Sequence, residues 1–178
     1  MELSKYKLII FDLDGTLSKF ATNELLPGVK EWFDSQTEHI LFGLASNQGG
    51  VGLRYWMEQE SFGEPEKYPT ERQVWQQVND VIRACGFHEP GEWARRVCYR
   101  YLAKSGNWSP APNEALEWSK EWRKPKPGMI LSIMEDYRAY YDIHGDNTLF
   151  VGDWGEDLQA AVAAAVDFKF ADEFFGRK

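Results

Sequence analysis

Two aspartates, Asp12 and Asp14, stand one residue apart at the end of an apolar run, "KLIIFDLDGTLS" at residues 7–18. Residues spaced by two lie on the same side of an extended backbone, so both carboxylates point into one small region and repel each other. Farther along, the run "HILFGLAS" ends on Ser46 and is followed by Asn47, while "NTLFVGD" ends on Asp153, with Asp157 four residues later. A site built from these acids needs a hard cation to keep them ionised, and all-oxygen ligands with room for water suit Mg²⁺. A phosphoryl group would be drawn in by the Ser46 hydroxyl, by backbone N–H groups of the turn from Asn47 to Gly50, and by Arg123, Lys124 and Lys126 of "WRKPKPG" (122–128). Of the two lysines, Lys124 is favoured, because Lys126 lies between prolines that direct it away. Attack by one carboxylate on phosphorus forms an acyl phosphate, and a neighbouring acid can protonate the leaving oxygen and later activate water. Asp12 and Asp14 are placed for those two roles.

Such residues must be brought together by the fold. Five short runs rich in apolar, β-branched or aromatic residues read as strands: 6–11, 39–46, 95–103, 147–153 and 167–171. Helical patterns alternate with them. The first starts near Pro27 and carries Val29, Trp32 and Phe33. "TERQ" at 70–73 reads as a capping box opening a helix with Val74, Val78, Val81, Ile82 and Cys85 on one face and Gly86 at its end. A third helix follows Pro127 and Gly128, with Ile130, Ile133, Met134, Tyr137 and Tyr141 on one stripe. A fourth, over 156–166, is expected to pack through Leu158, Ala161, Val162 and Ala165, whereas 54–69 reads as loop. This alternation predicts an α/β fold with a doubly wound, largely parallel sheet. In such sheets ligands bind beyond the carboxyl ends of the strands, where the acids stand.

Composition bounds the rest. At 178 residues the chain suits one domain spanning 1–178, and with 43% hydrophobic and 27% charged residues it has no window apolar enough to cross a bilayer. The start, "MELSKYKLIIFDLDG", enters a strand without a leader pattern, which predicts a cytoplasmic location and no membrane partner. Cys85 and Cys98 are too few for a disulfide framework. A net charge of −8 disfavours non-specific binding to polyphosphate backbones. Trp154 and Trp122 flank the expected site and read either as an aromatic rim or as core, and Phe174 and Phe175 of the acidic tail are candidates either for docking on the body or for meeting a partner.

"FDLDGTL" resembles the first motif of the haloacid dehalogenase superfamily. Ser46 in "LASNQGG", Lys124 in "RKPKPG", and Asp153 with Asp157 in "VGDWGED" are similar to its second, third and fourth motifs, in order. The resemblance implies a Rossmann-like fold and a Mg²⁺-dependent phosphatase. In it Asp12 would be nucleophile and metal ligand, and Asp14 general acid and base, with its backbone carbonyl on the metal. Ser46 and Lys124 would hold the phosphoryl, Asp153 would complete the metal site, and Asp157 would stand on the metal side. Only about 20 residues separate the first motif from the second strand, too few for the helical cap of many relatives, so a minimal cap and an open site are expected. "SNQGG" with "RKPKPGM" is similar to the third subclass, which contains histidinol-phosphate, heptose-bisphosphate and polynucleotide 3′-phosphatases; the "RKPKPGM" run is most like the first two, in which the arginine, here Arg123, also touches substrate. Zinc ligands found in some of those enzymes reduce here to Cys98. The expected substrate is a small phosphorylated metabolite; the alternatives are a polynucleotide 3′-phosphate end, and a non-catalytic binding protein on the same fold.

Overall fold

Strand β1 (Leu8–Phe11) is buried along its whole length, with Ile9 and Phe11 in one hydrophobic cluster and Leu8 and Ile10 in another. Helices therefore cover both faces, which is why the strand reads as an unbroken apolar run. In the computed structural model, which describes residues 3–37, 39–89 and 91–177, β1 is the middle of a five-stranded sheet of order β3-β2-β1-β4-β5. Its other strands are β2 (Leu41–Asn47), β3 (Trp93–Cys98), β4 (Thr148–Gly152) and β5 (Asp167–Phe170), and every pair is parallel. Met1 and Glu2, the first residues of the start read above, lie outside the described residues. The chain winds outward from β1 through β2 to β3, then returns to β4 and β5 on the other side. The order reverses beside β1, so the crevice of a doubly wound sheet opens at the carboxyl ends of β1 and β4.

One face is covered by α1 (Val29–Asp34), α2 (Gly49–Glu60), α3 (Glu71–Ala84) and α6 (Ala171–Phe175), the other by α4 (Gly128–Arg138) and α5 (Gly155–Ala164). Phe11 is surrounded by Trp32, Phe33, Phe42, Trp93 and Phe174, with ring centroids 5.6–6.3 Å from its own. Each fully buried ring of this kind contributes about 1.5–3 kcal/mol. Of the two readings of the C-terminal aromatics, docking on the body is the one found, and Trp122 belongs to the core rather than a rim. Among the described residues no helix is long and apolar enough to cross a membrane.

The capping box of α3 is formed as expected: Gln73 N–H donates to Thr70 Oγ1 at 3.2 Å and Thr70 N–H to Gln73 Oε1 at 2.8 Å. Three expectations are corrected. Residues 54–69, read as loop, open within α2, whose first turns contain Gly49, Gly50 and Gly52. Glycine lowers helix propensity by about 1 kcal/mol, but packing prevails: a Cβ at Gly52 would lie 2.1 Å from the Tyr99 carbonyl oxygen, so the glycine lets α2 approach the chain leaving β3. Strand β3 ends at Cys98, not 103, because its partner β2 ends at Asn47 and the Gln48 N–H makes the last bond, 2.7 Å to the Cys98 carbonyl. Finally, α5 packs through Asp157, Ala160, Ala161 and Ala164, leaving Val162 70% exposed. The inward face is the one that carries Asp157 toward the strand ends, and Leu158, Val162 and Ala165 follow it round to solvent.

Candidate active site

Asp12 follows β1 directly, and its N–H donates to the Val151 carbonyl of β4 at 2.9 Å, so the sheet itself places this residue at the crevice. The carboxylate is buried, and its Oδ1 accepts from Lys124 Nζ at 2.6 Å. Lys124 Nζ also pairs with Asp157 Oδ1 at 2.6 Å. Lys124 is held there through its backbone by Asn47, whose Nδ2 donates to the Lys124 carbonyl and whose Oδ1 accepts the Lys124 N–H, both at 3.0 Å. Lys126 pairs with Glu121 at the surface. Arg123 donates to the Arg100 carbonyl at 3.0 Å. Ser46 is buried, its hydroxyl accepting from Gln48 Nε2 at 3.1 Å.

Asp153 follows β4, and Asp157 closes the next turn by accepting from the N–H groups of Asp153 (3.1 Å) and Trp154 (3.0 Å) at its Oδ2. The loop after β1 packs tightly on this pair. Gly15 has φ +79°, and a Cβ there would lie 2.1 Å from Asp153 Oδ2, so any side chain would push Asp153 aside. From the other end of the chain, Arg177 fastens the same loop by donating to the carbonyls of Thr16 (2.6 Å) and Pro27 (3.0 Å).

Asp12, Asp153 and Asp157 each offer a carboxylate oxygen, all within 4.8 Å of one another. Asp153 Oδ1 is buried with no hydrogen-bond partner among the described residues, a costly state that a cation relieves. The oxygen-only donor set suits a hard cation such as Mg²⁺. Both oxygens of Asp157 are already engaged by Lys124 and the turn amides, so Asp12 and Asp153 are the acids best able to hold it. Burial pushes the Asp12 carboxyl up to about 7 against the pull of Lys124, and burial, with the charge of Asp157, pushes Asp153 up to about 6. Burial alone would lower the Lys124 ammonium, but Asp12 and Asp157 hold it above its ordinary value.

A pH effect on stability follows. Both Asp12 and Asp153 are raised above the ordinary aspartate value of 3.8, so their contribution is fully present below about pH 4 and is lost as pH rises through about 6 to 7. A cation favours the ionised forms, so millimolar Mg²⁺ is expected to raise Tm more at about pH 8 than at about pH 5. Thermal unfolding with chelator and with Mg²⁺ measures this, and an increment independent of pH would contradict it.

Asp14 points elsewhere. Its Oδ1 accepts from Ala21 N–H (2.8 Å) and Gln77 Nε2 (2.9 Å), and its Oδ2 from Gln48 Nε2 (2.8 Å). Two spaces meet at this carboxylate. A pocket of about 140 Å³ is lined by Asp12, Ser46, Lys124 and Asp153, and a cavity of about 670 Å³ runs between the start of α2, Tyr68, α3, Tyr101 and Arg123. Asp14, Phe20, Asn47 and Glu156 line both. Phe20 (81% exposed) and Trp154 (71% exposed) stand at the mouth of the smaller pocket. The structure thus brings together Asp12, Ser46, Lys124, Asp153 and Asp157, sets Asp14 at the edge, and leaves Arg123 in the larger cavity. Phe20, Gln48, Gln77 and Glu156 were not foreseen; Gln48 alone had a local signal, its place beside Ser46 and Asn47 in "SNQGG".

A parallel doubly wound sheet carrying these acids on the ends of its inner strands defines a phosphatase of the haloacid dehalogenase superfamily. Solved structures with this fold include a protein of Lactobacillus plantarum described as a phosphoglycolate phosphatase (16% identity, TM-score 0.53, covering 94% of this chain and 86% of that one). Another, from Mesorhizobium loti, is described as a HAD-like phosphatase (20% identity, TM-score 0.53, covering 90% of this chain and 69% of that one). More narrowly, the chain belongs to the polynucleotide kinase 3 phosphatase family, whose model matches residues 7–178. Among curated proteins none matches it.

Proposed function

We propose that this chain is a Mg²⁺-dependent phosphomonoesterase acting through an aspartyl-phosphate on Asp12, with a small phosphorylated metabolite as substrate. The observation that carries the reading is the position of Asp14, on the boundary between the pocket that ends on Asp12 and the larger cavity beside it. A phosphoryl group in the small pocket would lie against Asp12, Ser46 and Lys124, and its ester oxygen would lead past Asp14 into the larger cavity. An Asp12 carboxylate oxygen bonds to phosphorus while the bond to the leaving oxygen breaks, and Asp14 gives that oxygen its proton. Water then attacks phosphorus, Asp14 takes its proton, and the bond to Asp12 breaks to release phosphate. Lys124 and the Ser46 hydroxyl stabilise the charge on the transferring group. Asp12 and Asp153, with the Asp14 backbone carbonyl, would hold Mg²⁺, which when bound draws negative charge from the phosphoryl oxygens.

The family match favours a second reading, a polynucleotide 3′-phosphate end as substrate. Two features support the smaller substrate: the cavity sets Arg123 and Lys67 against Asp14, Glu66 and Glu156, and the chain carries a net charge of −8. A surface that follows a nucleic-acid backbone is basic instead. The test is kcat/KM on small sugar or alcohol phosphates and on 3′-phosphorylated oligonucleotides, across a salt series and with a chelator control. The expected result is Mg²⁺-dependent turnover, higher kcat/KM on the small substrates, and a shallow salt slope. Preference for oligonucleotides with a steep negative slope would establish the second reading instead.

A further inference from the structure

Resting on that reading, we infer that Gln77, a residue of α3 remote in sequence from every motif, is a positioning residue for the proton-transferring carboxylate, fixing which Asp14 oxygen meets the leaving group. Gln77 Nε2 donates to Asp14 Oδ1 at 2.9 Å and to the Thr22 carbonyl at 2.9 Å. Both partners are acceptors, so the orientation of the amide follows from them: its NH₂ must face the site. Ala21 N–H also donates to Oδ1, at 2.8 Å, so two donors occupy that oxygen. Oδ2 accepts from Gln48 alone among the described residues, at 2.8 Å. A carboxylate oxygen has two lone-pair sites, so Oδ1 is saturated and Oδ2 keeps one free. Oδ2 is therefore the atom that gives the proton to the leaving oxygen and later takes one from water. Gln77 does this without touching the phosphoryl pocket: it lines the larger cavity, where the leaving group would sit. By holding Thr22 it also anchors the loop that presents Ala21 and Phe20.

The variant Gln77→Met keeps length and helix propensity and removes both hydrogen bonds. Gln76→Met makes the same change one residue along, on a side chain bonded to Asp80, and controls for general effects on α3. A misplaced proton donor matters most when the leaving group is poor, because a good one departs without a proton. Gln77→Met is expected to slow phosphoryl transfer from alkyl phosphates about tenfold, the loss that one hydrogen bond explains, with KM little changed. Transfer from a dinitrophenyl phosphate, followed as the first-turnover burst of released phenol, should stay within about twofold of wild type, and Gln76→Met should match wild type on both. Equal losses on the two leaving groups, a change in KM alone, or the same effect in Gln76→Met would overturn the inference. Asp14→Asn in the same series separates this outcome from failure of the underlying reading. If Asp14→Asn shows the leaving-group dependence and Gln77→Met does not, only the role of Gln77 falls; if Asp14→Asn lacks it, the acid assignment falls first.

Discussion

Replacing Asp12 by Asn is expected to lower kcat by about 10⁴-fold or more, because the amide cannot form the acyl phosphate through which both half-reactions of the proposed mechanism pass. The substitution is nearly isosteric, and the side chain is buried at a strand end fixed by the sheet, so the fold should survive. Losing the charge also removes one of the carboxylates crowded around Lys124 and Asp153, so unfolding at neutral pH should be unchanged or slightly harder. Asp14→Asn should behave differently. It leaves the nucleophile intact and impairs only proton transfer, a loss of about 10²–10⁴-fold on ordinary substrates. On a substrate with a good leaving group the first step proceeds and the second lacks its base, so a phosphoenzyme should accumulate. Acid quenching with labelled substrate measures it. Wild-type turnover in Asp12→Asn, or no trapped phosphoenzyme in Asp14→Asn with an activated substrate, would refute the assignment of the two acids.

The motif residues could be read from the sequence because their signals are local. Two acids at a spacing of two on a strand end, and an acid four residues after another at a helix start, each imply a direction for the side chain wherever the element goes. The core strands were legible for a similar reason, since burial on both faces leaves unbroken apolar runs. What stayed hidden depends on contacts distant in sequence. Gln77 is one polar residue among several on an amphipathic helix, and only the packing of α3 brings it to Asp14, 63 residues away. The local sequence makes Asn47 part of a phosphate-binding turn, yet its side chain clamps the backbone of Lys124, 77 residues on. Helix α2 was hidden by its glycines, which mark loops by propensity but here allow close approach to the chain after β3. Apolarity points to Leu158 and Val162 as the inward face of α5, whereas Asp157 must point inward to meet Lys124.

That contact, under the proposed mechanism, makes Lys124 a residue on which stability and activity should depend together. Its ammonium is 3% exposed and lies 2.6 Å from both Asp12 and Asp157, so Lys124→Met leaves two buried carboxylates without their counter-charge. Breaking a buried pair by removing one partner costs about 3–5 kcal/mol, a large part of the roughly 5–15 kcal/mol by which folded proteins are stable. The loss should shrink as pH falls, because Asp12, already raised to about 7, sheds its charge below that value and has less need of a partner. Urea unfolding of metal-free Lys124→Met and wild type at about pH 8 and about pH 5 measures the difference. At saturating Mg²⁺, kcat should also fall by about 10²–10³-fold, the usual effect of removing one charge that stabilises a transition state. Lys126→Met is the control: its pair with Glu121 is exposed, and such pairs contribute at most about 1 kcal/mol. Equal effects in the two variants, or a Lys124→Met enzyme as stable at about pH 8 as wild type, would show that the buried network does not carry the charge balance assigned to it.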